Sequence, residues 1–231
     1  MESGEDKNYT IRLFNVGKRY GGNFALKDVS LDIRKGEFVF LTGPSGAGKS
    51  TLLKMLYLAE RVSEGQILVE GMNLSRISGD RLAALRRRFG LIFQDFKLIP
   101  HKTVYDNVAM VLEAAGEKTG YIRKKVMHVL RTTGMESKAK HYPPALSGGE
   151  QQRVAVSRAL AGDPSIILAD EPTGSLDEEA AQTTLDFIME YYERGATVIV
   201  ASHNLQLINS SVNARCVYLE NGMVTRTAKM L

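Results

Sequence analysis

The chain has 231 residues, 44% of them hydrophobic, with 30 Lys and Arg against 26 Asp and Glu and a formal net charge of +4. That composition suits a globular protein with a sizeable core, and parallel α/β folds of roughly 200–250 residues often stand as one domain. No apolar run nears the ~20 residues that a bilayer-spanning helix needs. The start, Met1-Glu2-Ser3-Gly4-Glu5-Asp6-Lys7, is acidic where a signal peptide would be basic and then apolar, so the expected location is the cytoplasm. The mild basicity would suit acidic lipid or nucleic acid, but the charges mostly alternate in sign. The lone cysteine, Cys216, has no internal disulfide partner, and its strand-like setting reads as a small core residue.

Short β-rich runs alternate with longer helical patterns, which argues for parallel strands covered by helices. In chain order the expected strands are 10–16, 25–33, 38–42, 65–69, 91–93, 165–169, 196–201 and 217–220. The early strands and the closing pair read as antiparallel, because Asn221-Gly222 is a strong hairpin turn, so the sheet is mixed. Helices are expected from Lys49 through Leu58, from Thr103 to Ala115 and from Tyr121 to Thr133, with Gly116 and Gly134 where the last two would stop. Residues 95–160 read as a helical subdomain inserted into an α/β core formed by 1–94 and 161–231.

Three segments carry chemistry. Gly43-Pro44-Ser45-Gly46-Ala47-Gly48-Lys49-Ser50, followed by Thr51, stands between an apolar strand and a helix. Glycines there let the backbone curl around phosphate, Lys49 would reach the β- and γ-phosphates, and the Ser50 hydroxyl would ligate Mg²⁺. Asp170 closes an apolar strand and would hold Mg²⁺ through water; Glu171 would then point elsewhere if the pleat continued, placed to polarise an attacking water. Between the two lies Leu146-Ser147-Gly148-Gly149-Glu150-Gln151. Ser147 and Glu150 form a capping box, which alone would be a purely structural feature. With the other two motifs in this order, the glycines read as room for a γ-phosphate from outside, and the chain as an ATPase whose site closes between two copies.

This set, with Gln94 after a strand, Ser175-Leu176-Asp177 and His203, resembles the nucleotide-binding subunits of ATP-binding cassette (ABC) transporters over nearly the whole chain. The resemblance implies a P-loop ABC ATPase fold with an antiparallel β-subdomain, and a head-to-tail homodimer that sandwiches two ATP. It further implies that Tyr20 stacks on adenine, Gln94 contacts Mg²⁺ or the attacking water, His203 senses the γ-phosphate and Asp177 meets the opposite subunit. Ser175 stands where the family often has Ala or Asn. The stretch from Phe93 to Ala109 and the run Ala169-Asp170-Glu171-Pro172-Thr173-Gly174 are similar to the FtsE family of cell-division ATPases, the latter run being shared with lipoprotein-releasing and macrolide-exporter ATPases. That similarity implies an FtsX-like integral membrane partner, peripheral association with the cytoplasmic face of the membrane, and a docking groove around Gln94 to Asn107. Arg86-Arg87-Arg88 could face acidic lipid or be a solvated helix face.

Two other classes compete. DNA-repair and chromosome-associated ABC ATPases usually carry coiled coils or zinc modules between the phosphate loop and the signature, and neither is visible here, so no nucleic-acid partner is expected. A small-molecule kinase would share only the phosphate loop and leave Ser147-Gly148-Gly149 and His203 unexplained.

Overall fold

The computed structural model describes residues 8–203 and 214–229; the acidic start at 1–7 lies outside them. The elements run β1 (Tyr9–Tyr20), β2 (Asn23–Arg34), β3 (Phe38–Thr42), α1 (Lys49–Leu56), β4 (Glu64–Val69), β5 (Met72–Asn73) and α2 (Gly79–Arg86). They continue with β6 (Phe89–Phe93), α3 (Val104–Ala114), α4 (Thr119–Thr132), α5 (Gly148–Leu160), β7 (Ile166–Asp170), α6 (Glu178–Glu193), β8 (Thr197–Ala201), β9 (Arg215–Glu220) and β10 (Met223–Lys229). The chain divides into two compact units, one of residues up to Arg86 and from Gly195 onward, the other Arg87–Arg194.

In the first unit β1 lies between β2 and β4, antiparallel to both, and β5 extends β4. Val29, Leu31 and Ile33 of β2 are buried at alternate positions, as in a sheet with one face on a core, whereas β1 buries the adjacent Thr10 and Ile11 as well as Leu13 and Val16. A second set of strands centres on β3, which runs parallel to β8 on one side and to β9 on the other. All five β3 residues are buried, as expected of a strand covered on both faces. β10 returns antiparallel to β9. The turn between them places Asn221 and Gly222 at φ 50 and 76, the pair of positive φ values that a right-twisted two-residue hairpin requires.

In the second unit β6 and β7 are parallel and end flush, with Phe93 opposite Asp170. The helical part has its own core, in which Val104, Val108 and Leu112 of α3 meet Ile122, Val126 and Leu130 of α4, Val154 of α5 and Leu146. Each such side chain stabilises the fold by about 1.5–3 kcal/mol through removal from water. Helix α3 begins with a capping box in which Thr103 Oγ1 accepts from the Asp106 N–H at 3.1 Å and Asp106 Oδ2 accepts from the Thr103 N–H at 3.2 Å. Gly116 and Gly134 follow α3 and α4 at φ 80 and 70, satisfying the left-handed stop that ends each helix.

The groove expected around Gln94 to Asn107 needs correcting at its far end. Asn107 is 0% exposed: its Oδ1 accepts from the Ile99 N–H at 2.8 Å, and its Nδ2 donates to the carbonyls of Ile99, Lys102 and Thr103 at 2.9–3.1 Å. A side chain with its polar atoms so occupied fastens the loop before α3 and has nothing left for a partner. Arg86 is likewise engaged internally. It donates to the carbonyls of Tyr57 and Leu58 at 3.2 and 2.9 Å, where α1 leaves its last acceptors unmatched.

Candidate active site

In the first unit β3 delivers the chain into the loop from Gly43 to Gly48, and α1 starts at Lys49. Pro44, Ser45 and Gly46 are exposed, Ala47 is buried, Ser50 is exposed and Thr51 half-buried. Gly43 stands at φ 139, and a Cβ on it would lie 1.9 Å from the Leu219 carbonyl oxygen of β9. No other residue fits there, since both the dihedral and the space forbid a side chain. Gly48 caps α1 in the left-handed region at φ 105. The loop therefore presents backbone N–H groups and a helix N-terminus, the arrangement that binds anions.

Lys49 is 7% exposed, and its Nζ donates to the Gly43 and Pro44 carbonyls at 2.8 and 3.1 Å. The ammonium is thus folded over the loop it would serve, its charge stabilised by the loop's own carbonyls. Leu41 of β3 is paired with Ala201 of β8, and the Ser202 N–H donates to the Leu41 carbonyl at 3.1 Å. Exposed His203 therefore leaves the sheet at the same carboxyl edge as Gly43. Tyr20 ends β1 with 46% of its surface exposed and the Lys18 ammonium 4.8 Å from its ring centroid.

In the second unit the flush ends of β6 and β7 send Gln94 and Glu171 off side by side. A Cβ on Gly174 would lie 3.3 Å from Gln94 Nε2 and 3.7 Å from Glu171 Cβ, so glutamine and glutamate converge on that glycine. The β pleat does not continue to Glu171, contrary to the sequence reading. The residue turns into the left-handed region at φ 47, and its carbonyl accepts from the Gly174 N–H at 3.1 Å. Left-handed backbone costs a residue with a Cβ on the order of 1–2 kcal/mol, and such strain collects where a side chain must be aimed. The turn, not strand alternation, parts Glu171 from Asp170.

Leu146 is buried in the helical core, and the chain emerges from it at exposed Ser147 and Gly148. Ser147 Oγ accepts from the Glu150 N–H at 3.2 Å, and Glu150 Oε2 accepts from the Ser147 N–H at 2.9 Å. That hydrogen bond, with Lys138 nearby, holds the Glu150 pKa below the usual carboxylate value. The Glu150 carboxylate therefore serves the cap. Gly148 has nothing within 4 Å of a built Cβ, whereas one on Gly149 would lie 3.3 Å from Ala180 Cβ. Asp177 caps α6, its Oδ1 accepting from the Ala180 N–H at 2.8 Å, and is exposed.

Residues 26–174 match the profile of the ABC transporter family. The chain belongs to that family. Over 217 residues this ABC protein is 42% identical to the "Cell division ATP-binding protein FtsE" of Bacillus subtilis, covering 94% of this chain and 95% of that relative. It is 46% identical to the FtsE of Escherichia coli over 86% of this chain and 90% of the relative. Among solved structures, the dimeric ATP-binding cassette MJ0796 bound to ADP and Pi superposes with a TM-score of 0.87 at 37% identity, over 95% of this chain and 98% of that one. The fold is accordingly that of an ABC ATPase, and the chain binds and hydrolyses ATP.

Two side chains of this ABC ATPase were not legible as site components. Gln152 of α5 is 0% exposed and donates to the Pro172 carbonyl at 2.6 Å, bracing the turn after Glu171. Arg158, also on α5, donates to the carbonyls of Phe96 and Lys97, just beyond Gln94. For Gln152 the available signal was a polar residue on a helix whose other buried residues are, Ser157 apart, Val, Ala and Leu.

Proposed function

We propose that two copies of this chain close head to tail around two ATP and pass the closure to an FtsX-like integral membrane protein in cell division. The observation that carries the reading is the exposed Ser147-Gly148 start of α5, anchored by buried Leu146, in a chain that already holds a complete phosphate loop. Identity of 41–46% to FtsE proteins favours the cell-division branch over the exporter branches. Among the described residues no helix is long and apolar enough to cross a membrane, so attachment at the cytoplasmic face would come through the partner.

In this reading the N–H groups from Gly43 to Thr51 cradle the phosphates and Lys49 leaves its carbonyl partners for them. Tyr20 offers an exposed ring to adenine. Glu171 orients and deprotonates the attacking water, with Gln94 beside it and His203 reporting on the γ-phosphate. From the other subunit come Ser147, Gly148 and Gly149, with Glu150 holding the cap and Asp177 meeting the facing chain.

Among the described residues no group of three His, Cys, Asp or Glu is placed to hold a metal. Mg²⁺ takes hard oxygen ligands and is usually held by one or two protein groups together with substrate phosphates. Ser50, Gln94 and Asp170 offer such oxygens, and the ion would neutralise charge developing on the phosphates.

Glu171→Gln should trap ATP in a dimer while turnover falls by about 10²–10⁴-fold. Sizing chromatography with Mg-ATP and a phosphate-release assay would show it, and turnover near that of the parent would remove Glu171 from the reaction. Co-purification of the chain from membranes with a multi-span protein would test the partner.

A further inference from the structure

The loop after β6 carries Gln94 and then passes through two consecutive residues, Phe96 and Lys97, at φ 57 and 50. Neither is glycine, and a Cβ disfavours left-handed backbone unless the surroundings impose it. The local hydrogen bonds are few: the Phe96 N–H donates to the Phe93 carbonyl at 3.2 Å and the Lys97 N–H to the Asp95 carbonyl at 2.5 Å.

The imposing group comes from α5. Arg158 Nη1 donates to the Lys97 carbonyl at 2.5 Å and Nη2 to the Phe96 carbonyl at 2.7 Å. Two adjacent carbonyls meet the two arms of one planar fork, a geometry an ammonium cannot reproduce. Burial pushes the guanidinium pKa down from its ordinary value, the mark of a charge drawn away from water. Asn107 fastens the next stretch at Ile99, Lys102 and Thr103, so the loop is held at both halves.

We infer that Arg158 is a positioning residue for hydrolysis: by locking Phe96 and Lys97 it fixes Gln94 beside Glu171 and ties that glutamine to the helix whose opposite end is Ser147. The inference rests on the reading of Gln94 and Ser147 given above. Helix α5 has 13 residues, and such a rod advances about 1.5 Å per residue. One helix therefore joins the Ser147 end, where a second nucleotide would be engaged, to Arg158 and, through it, to the backbone next to Gln94. Neither end needs to touch the other for the signal to arrive.

The test is ATP turnover of the full chain carrying Arg158→Met, Arg158→Lys and Gln94→Ala, singly and combined. Arg158→Met should lower kcat roughly ten- to a hundredfold through misplacement of Gln94, with KM for ATP within about twofold of the parent because the phosphate loop is untouched. Arg158→Lys, which keeps the charge but not the fork, should recover part of the loss. In the Gln94→Ala background Arg158→Met should add nothing further. An equal further loss in that background would show that Arg158 merely supports the fold, and would overturn the inference while leaving Gln94 in its role. Unaltered turnover in Gln94→Ala would instead remove the reading of Gln94, and the inference with it. Should the α5 variants not fold, Lys97→Pro perturbs the same loop from its exposed side, because proline cannot adopt positive φ. It should reproduce the kcat loss without a KM change, and normal turnover in it would equally sink the proposal.

Discussion

Replacing Gly148 by alanine separates folding from function at the start of α5. Gly148 has no positive φ, and a Cβ there meets nothing within 4 Å of the chain itself. Alanine in place of glycine in a helix is worth about 0.5–1 kcal/mol, and the first turn places this site near the lower end. For a chain of this size the melting temperature should rise by about 1–2 °C. Were the chain to work alone, the variant would be a slightly stabilised enzyme with unchanged activity. If a phosphate from a second copy approaches the N–H groups beside this residue, the added methyl stands in its path. Turnover should then fall about 10²-fold, and the ATP-dependent shift to a dimer on sizing chromatography should weaken in step. Thermal melting and phosphate release on one preparation give both readouts. A chain that melts higher and hydrolyses ATP at the parental rate would refute the reasoning. Gly149→Ala is the comparison: its Cβ would press on Ala180 at 3.3 Å, so α6 must give way and the stability gain should vanish.

Three further outcomes follow from the fold. Gly43→Ala joins a forbidden dihedral to a 1.9 Å collision with a backbone oxygen. It should cost at least about 2–3 kcal/mol by urea unfolding and abolish nucleotide binding measured by equilibrium titration. Asn107→Ala orphans the Ile99 N–H and the Lys102 carbonyl and leaves the Ile99 and Thr103 carbonyls with their backbone partners alone; a loss of about 2 kcal/mol is expected in the same denaturation assay. Glu150 is held below the usual carboxylate value chiefly by the Ser147 N–H. Its contribution is therefore complete above the ordinary glutamate range and lost as pH falls through the lowered folded value. The stability gap between parent and Glu150→Gln should accordingly close on acidification, and a gap that widened toward low pH would contradict the sign.

What the sequence made legible was whatever local chemistry dictates. β3 is apolar from Phe38 to Leu41, Asn221-Gly222 demands its hairpin, and Thr103 and Ser147 announce helix starts with an acid three residues on. Helix α2 escaped because only Leu85 in it is buried, so it carries no periodic stripe to read. Helix α6 escaped for a different reason. Its N-cap, Asp177, drew a functional reading that obscured its capping role, although Ala181, Leu185 and Ile188 recur at helical spacing on its buried side. β1 runs on to Tyr20 through shifts in register after Leu13 and Val16, which strict alternation does not anticipate. At the site, residue identities were visible but the aiming was not. The left-handed turn falls on a glutamate, a residue type that does not announce positive φ, and the fork of Arg158 reaches carbonyls 61 and 62 positions away, which no short window along the chain displays.

The fit of Gly43 against Leu219 has a consequence for the order of events as the polypeptide is made. The phosphate loop is translated early, yet its first glycine is seated on a carbonyl of β9 some 176 positions later, and β3 finds both of its neighbouring strands in the last part of the chain. Such long-range closure is slow and comes late in folding. A nascent chain halted before residue 219 would lack the floor of its own nucleotide cradle, so ATP capture marks a polypeptide whose distal hairpin has already docked.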